Sequence, residues 1–274
     1  MFRSVTADGW TSLLVEFSSS QIMLCRLLIL SCTGLFWSSA QETAATQQDL
    51  PAAPEQDAIT NKPLIEKLDE GRYRIGKVTL NPVTREIRLP ARVNMDKGLL
   101  EFLLVLEKGK IHESLLVTDA SPSHLHLAFS LLRYPPSVEL FPMLDEIGHV
   151  TGEYPDVPVE VRARARVLID VEWSRDGMLI RNSINEWIQH STSSQAMPPG
   201  PWIFSGSAFQ RGSYIPDLTG DIAAIFVARA AMINYPSAGN DNDLVWHAFS
   251  KHVPATGSAV TLVFKPWAKP APAP

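Results

Sequence analysis

Five side chains carry the chemistry this 274-residue chain could perform: His112, Glu113, Ser114, His126 and Asp221. A serine near a histidine suggests nucleophilic hydrolysis, which needs the two within direct hydrogen-bond reach. Read as a strand, His112 and Ser114 share one face about 7 Å apart, beyond that reach. Glu113 then points to the other face, where it cannot orient the imidazole. No Gly-x-Ser-x-Gly elbow is present to hold a nucleophile. The second chemistry is a metal ion held by His112, His126 and a carboxylate such as Asp119 or Asp221, a ligand set that suits Zn²⁺ and its neighbours. His124 and His126 lie about 200° apart around a helix, so they do not converge on one ion. No His-Glu-x-x-His motif occurs. The plainer alternative makes His112 and His126 core-edge residues bonded to backbone. Asn240-Asp241-Asn242-Asp243 resembles part of a calcium loop but lacks its Gly and later Glu, and reads as a turn and helix cap before Trp246. Trp173, Trp187, Trp202 and Trp246 form either a ligand-stacking surface or, more ordinarily in a β-rich domain, core.

These residues depend on the stretch Leu99–Tyr134. Two runs rich in Leu, Val and Phe flank Lys108-Gly109-Lys110, the pattern of a three-residue hairpin loop. Ser121-Pro122 then suits an N-cap followed by the first helical position. Leu125, Phe129 and Leu132 are spaced along one helix face, with Leu127, Leu131 and Tyr134 as a second row, so an amphipathic helix over about 122–134 is expected to pack on the hairpin. Pro135-Pro136 stops it.

Further hairpins are expected around Asn81-Pro82 and Asp176-Gly177. Residues 135–157 read as a long loop with a short helix near Met143–Glu146. The alternation from Val159 to Trp173 predicts a strand whose Arg162, Arg164 and Arg166 face water or form an anion-binding strip. Asn185–His190 suits a short helical turn. Trp202–Phe209 reads as a strand with a glycine bulge, Asp217–Asp221 as a turn, Ile222–Val227 as a buried strand and Val260–Phe264 as the last strand. The predicted fold class is α+β: a β-rich single domain of antiparallel hairpins with one main helix.

Residues 23–40 have one Arg, an apolar run and Ser38-Ser39-Ala40, the pattern of a secretory signal peptide. Its apolar core is shorter than the roughly 20 residues a membrane span takes. An uncleaved anchor and a lipoprotein attached through Cys32 are alternatives. Initiation at Met23 would make residues 1–22 an upstream extension. Residues 41–66 read as a Gln-, Ala- and Pro-rich linker, 67–267 as the domain and 268–274 as a Pro/Ala tail. Both cysteines, Cys25 and Cys32, lie in the leader, so the mature chain has no disulfide and no thiolate chemistry. A net charge of −5 argues against nucleic acid as a partner.

Several pieces occur in a recognisable order. They are Asn81-Pro82-x-Thr84, His112-Glu113-Ser114, Asp119-Ala120 with the His126 helix, Trp202-x-Phe204-x-Gly206-Ser207, Gly220-Asp221, Ile233-Asn234-Tyr235-Pro236 and Pro254-x-Thr256-Gly257. Together, over roughly residues 70–266, they resemble the YdjY-type domain of exported bacterial proteins. The resemblance implies a single exported domain and no reaction, and it places the family's helix histidine at His126. The expected function is therefore a non-catalytic binding or envelope-associated module in the periplasm or secreted, with no cofactor. It has no transmembrane span after cleavage; its partner is not readable from the sequence, an envelope protein being one candidate. The alternative is a metal-dependent or hydrolytic enzyme around His112 and His126.

Overall fold

A computed structural model describes residues 64–267. The expected signal peptide, the alternative lipid attachment at Cys32, most of the expected linker and the expected tail lie outside the described residues.

Eight strands close into a barrel: β1 (Glu86–Val93), β2 (Phe102–Leu106), β3 (Ser114–Thr118), β4 (Arg166–Arg175), β5 (Trp202–Phe204), β6 (Asp221–Ala224), β7 (Ile233–Asn234) and β8 (Ala259–Pro266). Around the ring the order is β1-β8-β4-β5-β7-β6-β2-β3, and β3 pairs with β1 to close it. Closure removes the exposed edges that an open sheet of this size would leave. The long β1 makes it possible. One side runs along β8, while the other side holds Val78–Asn81 at its start and β3 at its end. The predicted β-rich character holds, and the closed barrel is the feature that a chain of hairpins did not anticipate.

The central expectation is overturned. β2 and β3 are neighbours, but they run parallel, with Phe102 opposite Ser114 and Leu104 opposite Leu116. Residues 107–113 return along the pair through a short 3-10 helix at Ile111–Glu113. Gly109 does not turn the chain with a positive φ. Its missing side chain serves close packing instead: a Cβ on Gly220, itself at φ 86°, would sit 2.8 Å from the Gly109 Cα. A second parallel pair, β6–β7, flanks the antiparallel β2–β6 contact.

The main helix, α1 (Pro122–Leu131), forms as its capping signals require. Ser121 accepts a hydrogen bond from the His124 N–H, and Pro122 opens the first turn. Leu125, Phe129 and Leu132 are buried as expected. Phe129 stacks on Phe204 of β5 at 4.5 Å and meets Phe264 of β8 edge-on. The second predicted row fails at Leu131, which is 46% exposed because the helix ends there. Tyr134 is buried beyond the helix end, donating from its hydroxyl to the Arg85 carbonyl at 2.8 Å.

Other expectations divide. Asp176-Gly177 turns β4 into Met178–Ser183 with φ of 52° and 77°, the geometry of the tight hairpin this dipeptide favours. Val159–Ala165 is not strand but a short helix, α2; the strand begins at Arg166. Ala and Arg favour helix, and the acidic Glu160 and basic Arg164 suit its two ends. The arginine row accordingly makes separate local contacts, Arg166 to Glu139 and Arg164 to the Arg133 carbonyl. Met143–Glu146 forms no helix; Leu144 bridges Val150 across a turn. Ile184–Trp187 is a 3-10 turn leading into the strand Ile188–His190, and Ile215–Thr219 is a short helix, α3, where a plain turn was expected. Asn242 caps no helix; Trp246–Ala248 is a strand paired with Ile188–His190.

Candidate functional site

The five candidate residues fall into three surroundings: His112 with Glu113, Ser114 with Asp221 through Lys110, and His126 by itself. His112 sits in the 107–113 connection with its side chain 76% exposed, and its Nε2 is 3.5 Å from the Glu113 carboxylate. The strand-based argument separating these two side chains does not hold, because the 3-10 turn replaces strand alternation there. Burial, and then the Glu113 charge, hold the Glu101 carboxyl above its ordinary range.

Ser114 is fully buried at the start of β3 and donates to the Lys110 carbonyl at 2.6 Å. Lys110 in turn reaches Asp221, its Nζ 3.4 Å from Oδ2 and 4.5 Å above the Phe102 ring. Ser114 and Asp221 are thus drawn to one residue that anchors the connection against β6. Neither is joined there to a histidine. Asp221 is 2% exposed and its Oδ1 has no partner.

His126 lies on the face of α1 opposite His124, which packs at the Gly76 turn. The His126 ring contacts Phe204, Phe209 and Tyr214. The Tyr214 hydroxyl donates to the Gly206 carbonyl at 2.9 Å, so His126 Nδ1, 3.1 Å away, donates to that hydroxyl. Burial lowers the imidazole's proton affinity and raises that of the Tyr214 phenol. Asp119, the other carboxylate considered for a metal, is ion-paired with Lys77, whose hydrogen bond holds it below its usual range. Among the described residues no group of three or more His, Cys, Asp or Glu side chains is placed to hold an ion.

The residues quoted for the family resemblance also do structural work. Asn234 is fully buried, donates to the Ser205 hydroxyl at 2.8 Å and accepts from the Ala228 N–H. Such a satisfied polar network ties β5 to β7.

A different place has the shape of a binding site. Where the Ile188–His190/Trp246–Ala248 ribbon meets the loop after β7, a cleft of about 480 Å³ opens. His190, Tyr235, Ser237, Gly239, Asp241 and Trp246 are among its lining residues. His190 and Tyr235 both contact Trp246 edge-on, at 5.5 and 5.7 Å. Trp246 is buried, and its Nε1–H has no acceptor, whereas the Trp202 indole donates to Asn185 at 2.9 Å. An unpaired buried donor is uncommon and calls for an explanation. The sequence offered only a faint signal. Trp246 was one of four tryptophans considered for stacking, and the Asn240–Asp243 run just before it looked like a turn. Trp187, Trp202 and Trp246 proved to be core and Trp173 partly buried against it.

No helix among the described residues is long and apolar enough to cross a membrane. No curated protein and no solved structure matches the chain. The YdjY domain model matches residues 78–265, from the strand before β1 to the penultimate residue of β8, and the chain belongs to that family.

Proposed function

We propose that this YdjY domain is a non-catalytic binding module, exported and working in the cell envelope, and that it binds at the cleft beside Trp246. One observation carries the reading: a cleft with aromatic and polar walls lies beside a buried hydrogen-bond donor that has no acceptor within the protein. Ligand sites commonly combine an apolar lining with a few directed polar groups. The candidate catalytic groups are arranged otherwise. Ser114 donates to a backbone carbonyl, His126 is held by Tyr214, and His112 stands exposed beside Glu113. A nucleophile and base need mutual contact, and these residues contact other partners. Export is supported by the leader pattern of residues 23–40 and by the absence of cysteine after it.

The test places a photoreactive amino acid at Asn242, on the cleft rim, and separately at His112, in cells producing the full chain. Envelope material captured from position 242 supports the reading. Capture from position 112 with none from 242 overturns it.

A further inference from the structure

The connection from α1 to α2 carries a finger whose surface is unmatched within its own chain. The Met143 N–H donates to the Glu153 carbonyl at 2.6 Å, and the Thr151 N–H to the Met143 carbonyl at 2.9 Å. At the tip, Asp145 Oδ1 accepts from the N–H groups of Ile147 and His149, at 3.1 and 2.7 Å. The finger is thus a built hairpin, yet it presents apolar side chains to water. Ile147 is 78% exposed and Val150 65%, and Leu144 and Tyr154 are exposed with them. Apolar side chains gathered on one exposed segment and rimmed by charge mark an interaction surface. The rim is acidic. Glu146, Glu153 and Asp156 are exposed and have no ion pair among the described residues, and residues 134–161 contain no Lys or Arg. An anionic lipid surface repels carboxylates, so the finger calls for a protein face that is apolar and basic.

This chain has such a face just past the end of α1. Arg164 donates to the Arg133 carbonyl at 2.9 Å and Arg85 to the same oxygen at 3.5 Å, so two guanidinium groups stand side by side, and Arg133 itself is exposed there. None of the three arginines has an ion pair among the described residues, whereas on the barrel wall Arg88 pairs with Glu172 and Arg181 with Asp170. Exposed apolar side chains accompany them: Val83 two residues before Arg85, Leu131 two before Arg133, and Val159 at the start of α2. One surface is apolar and acidic, the other apolar and basic, and both are left unpaired in the single chain. Complementary potentials of this kind select partners. We propose that the finger docks on the Arg85/Arg133/Arg164 face of a second copy of this chain. In a two-fold pair each copy gives its finger and receives its partner's. Neither surface shares a lining residue with the cleft beside Trp246, so this assignment stands apart from the cleft as a site.

The test is the mass of the full chain by sedimentation equilibrium, at low and at high salt. It compares the parent with Glu146→Lys/Glu153→Lys on the finger and Arg133→Glu/Arg164→Glu on the face, each first shown to be folded by circular dichroism. The proposal expects a dimer in the parent that weakens as salt screens the charges. Either reversed variant alone should associate roughly a hundredfold more weakly, since reversal sets like charges together. Mixing the two variants should restore the dimer, because each finger then meets a face of opposite charge. Ile147→Ser leaves every charge in place and should also dissociate the pair. A parent that is monomeric at every concentration overturns the proposal, even where a photoreactive group at position 147 captures another envelope protein. Parental association in either reversed variant or in Ile147→Ser overturns it as well, and so does a mixture of the folded reversed variants that stays monomeric.

Discussion

Two clusters of rings in this domain surround a histidine, and they differ in one respect. Around His126 the chain of polar atoms is closed: imidazole to Tyr214 hydroxyl to Gly206 carbonyl, packed among Phe204 and Phe209. Around His190 it is open, because Trp246 presents an indole N–H to no acceptor beside a cleft. A polar group completed within the protein stabilises the fold; one left buried without a partner is a cost that calls for an explanation. The histidine that looked chemically suggestive in the sequence belongs to the closed cluster, and the open one formed around a residue given little weight.

Breaking the closed cluster should affect stability most. Phe129→Ala removes the ring that stacks on Phe204 and abuts Phe264, and should cost about 4 kcal/mol in denaturant unfolding. Tyr214→Phe leaves the Gly206 carbonyl and His126 Nδ1 without their partner and should cost about 2 kcal/mol by the same measurement. In the open cluster, Gly239→Ala should cost only about 1 kcal/mol from its left-handed backbone, yet abolish capture at position 242 by crowding Trp246.

The smallest effect is on pH dependence. Burial lowers the His126 pKa below its ordinary 6.5, so the unfolded chain binds that proton more readily than the folded one. The stabilisation is complete above pH 6.5 and is lost as pH falls through that value toward the folded pKa. His126→Phe should therefore lose less melting temperature than the parent between pH 7.5 and pH 5.5, seen by circular dichroism. An equal loss in both proteins would remove His126 from the closed cluster's energetics.

The same contrast explains what could be read from the sequence. Asp176-Gly177 works locally: both residues take positive φ, and the turn is the whole reason for the pair. Lys108-Gly109-Lys110 looks equivalent, but Gly109 is there so that Gly220 can approach, a contact between positions far apart in the chain. Periodicity could not announce that, and the parallel β2–β3 pairing went unseen with it. Leu125 and Phe129 were legible because helix spacing alone puts them on one face. Val159–Ala165 misled because a short run alternates equally well as strand or as helix. Ser114 and Asp221 were picked out for a nucleophile and a metal carboxylate, and their meeting through Lys110 depends on barrel closure. The cleft was least legible of all, since it arises from four segments: His190, Pro198, the Tyr235–Asn242 loop and Val245-Trp246.

The most direct test of where this domain works is the yield of envelope adduct at position 242 in two backgrounds, each first shown to be folded. The account predicts parental yield in His112→Ala/His126→Phe, where both candidate catalytic histidines are gone, and loss of the adduct in Gly239→Ala. Loss in the histidine double variant, with full yield in Gly239→Ala, would contradict it.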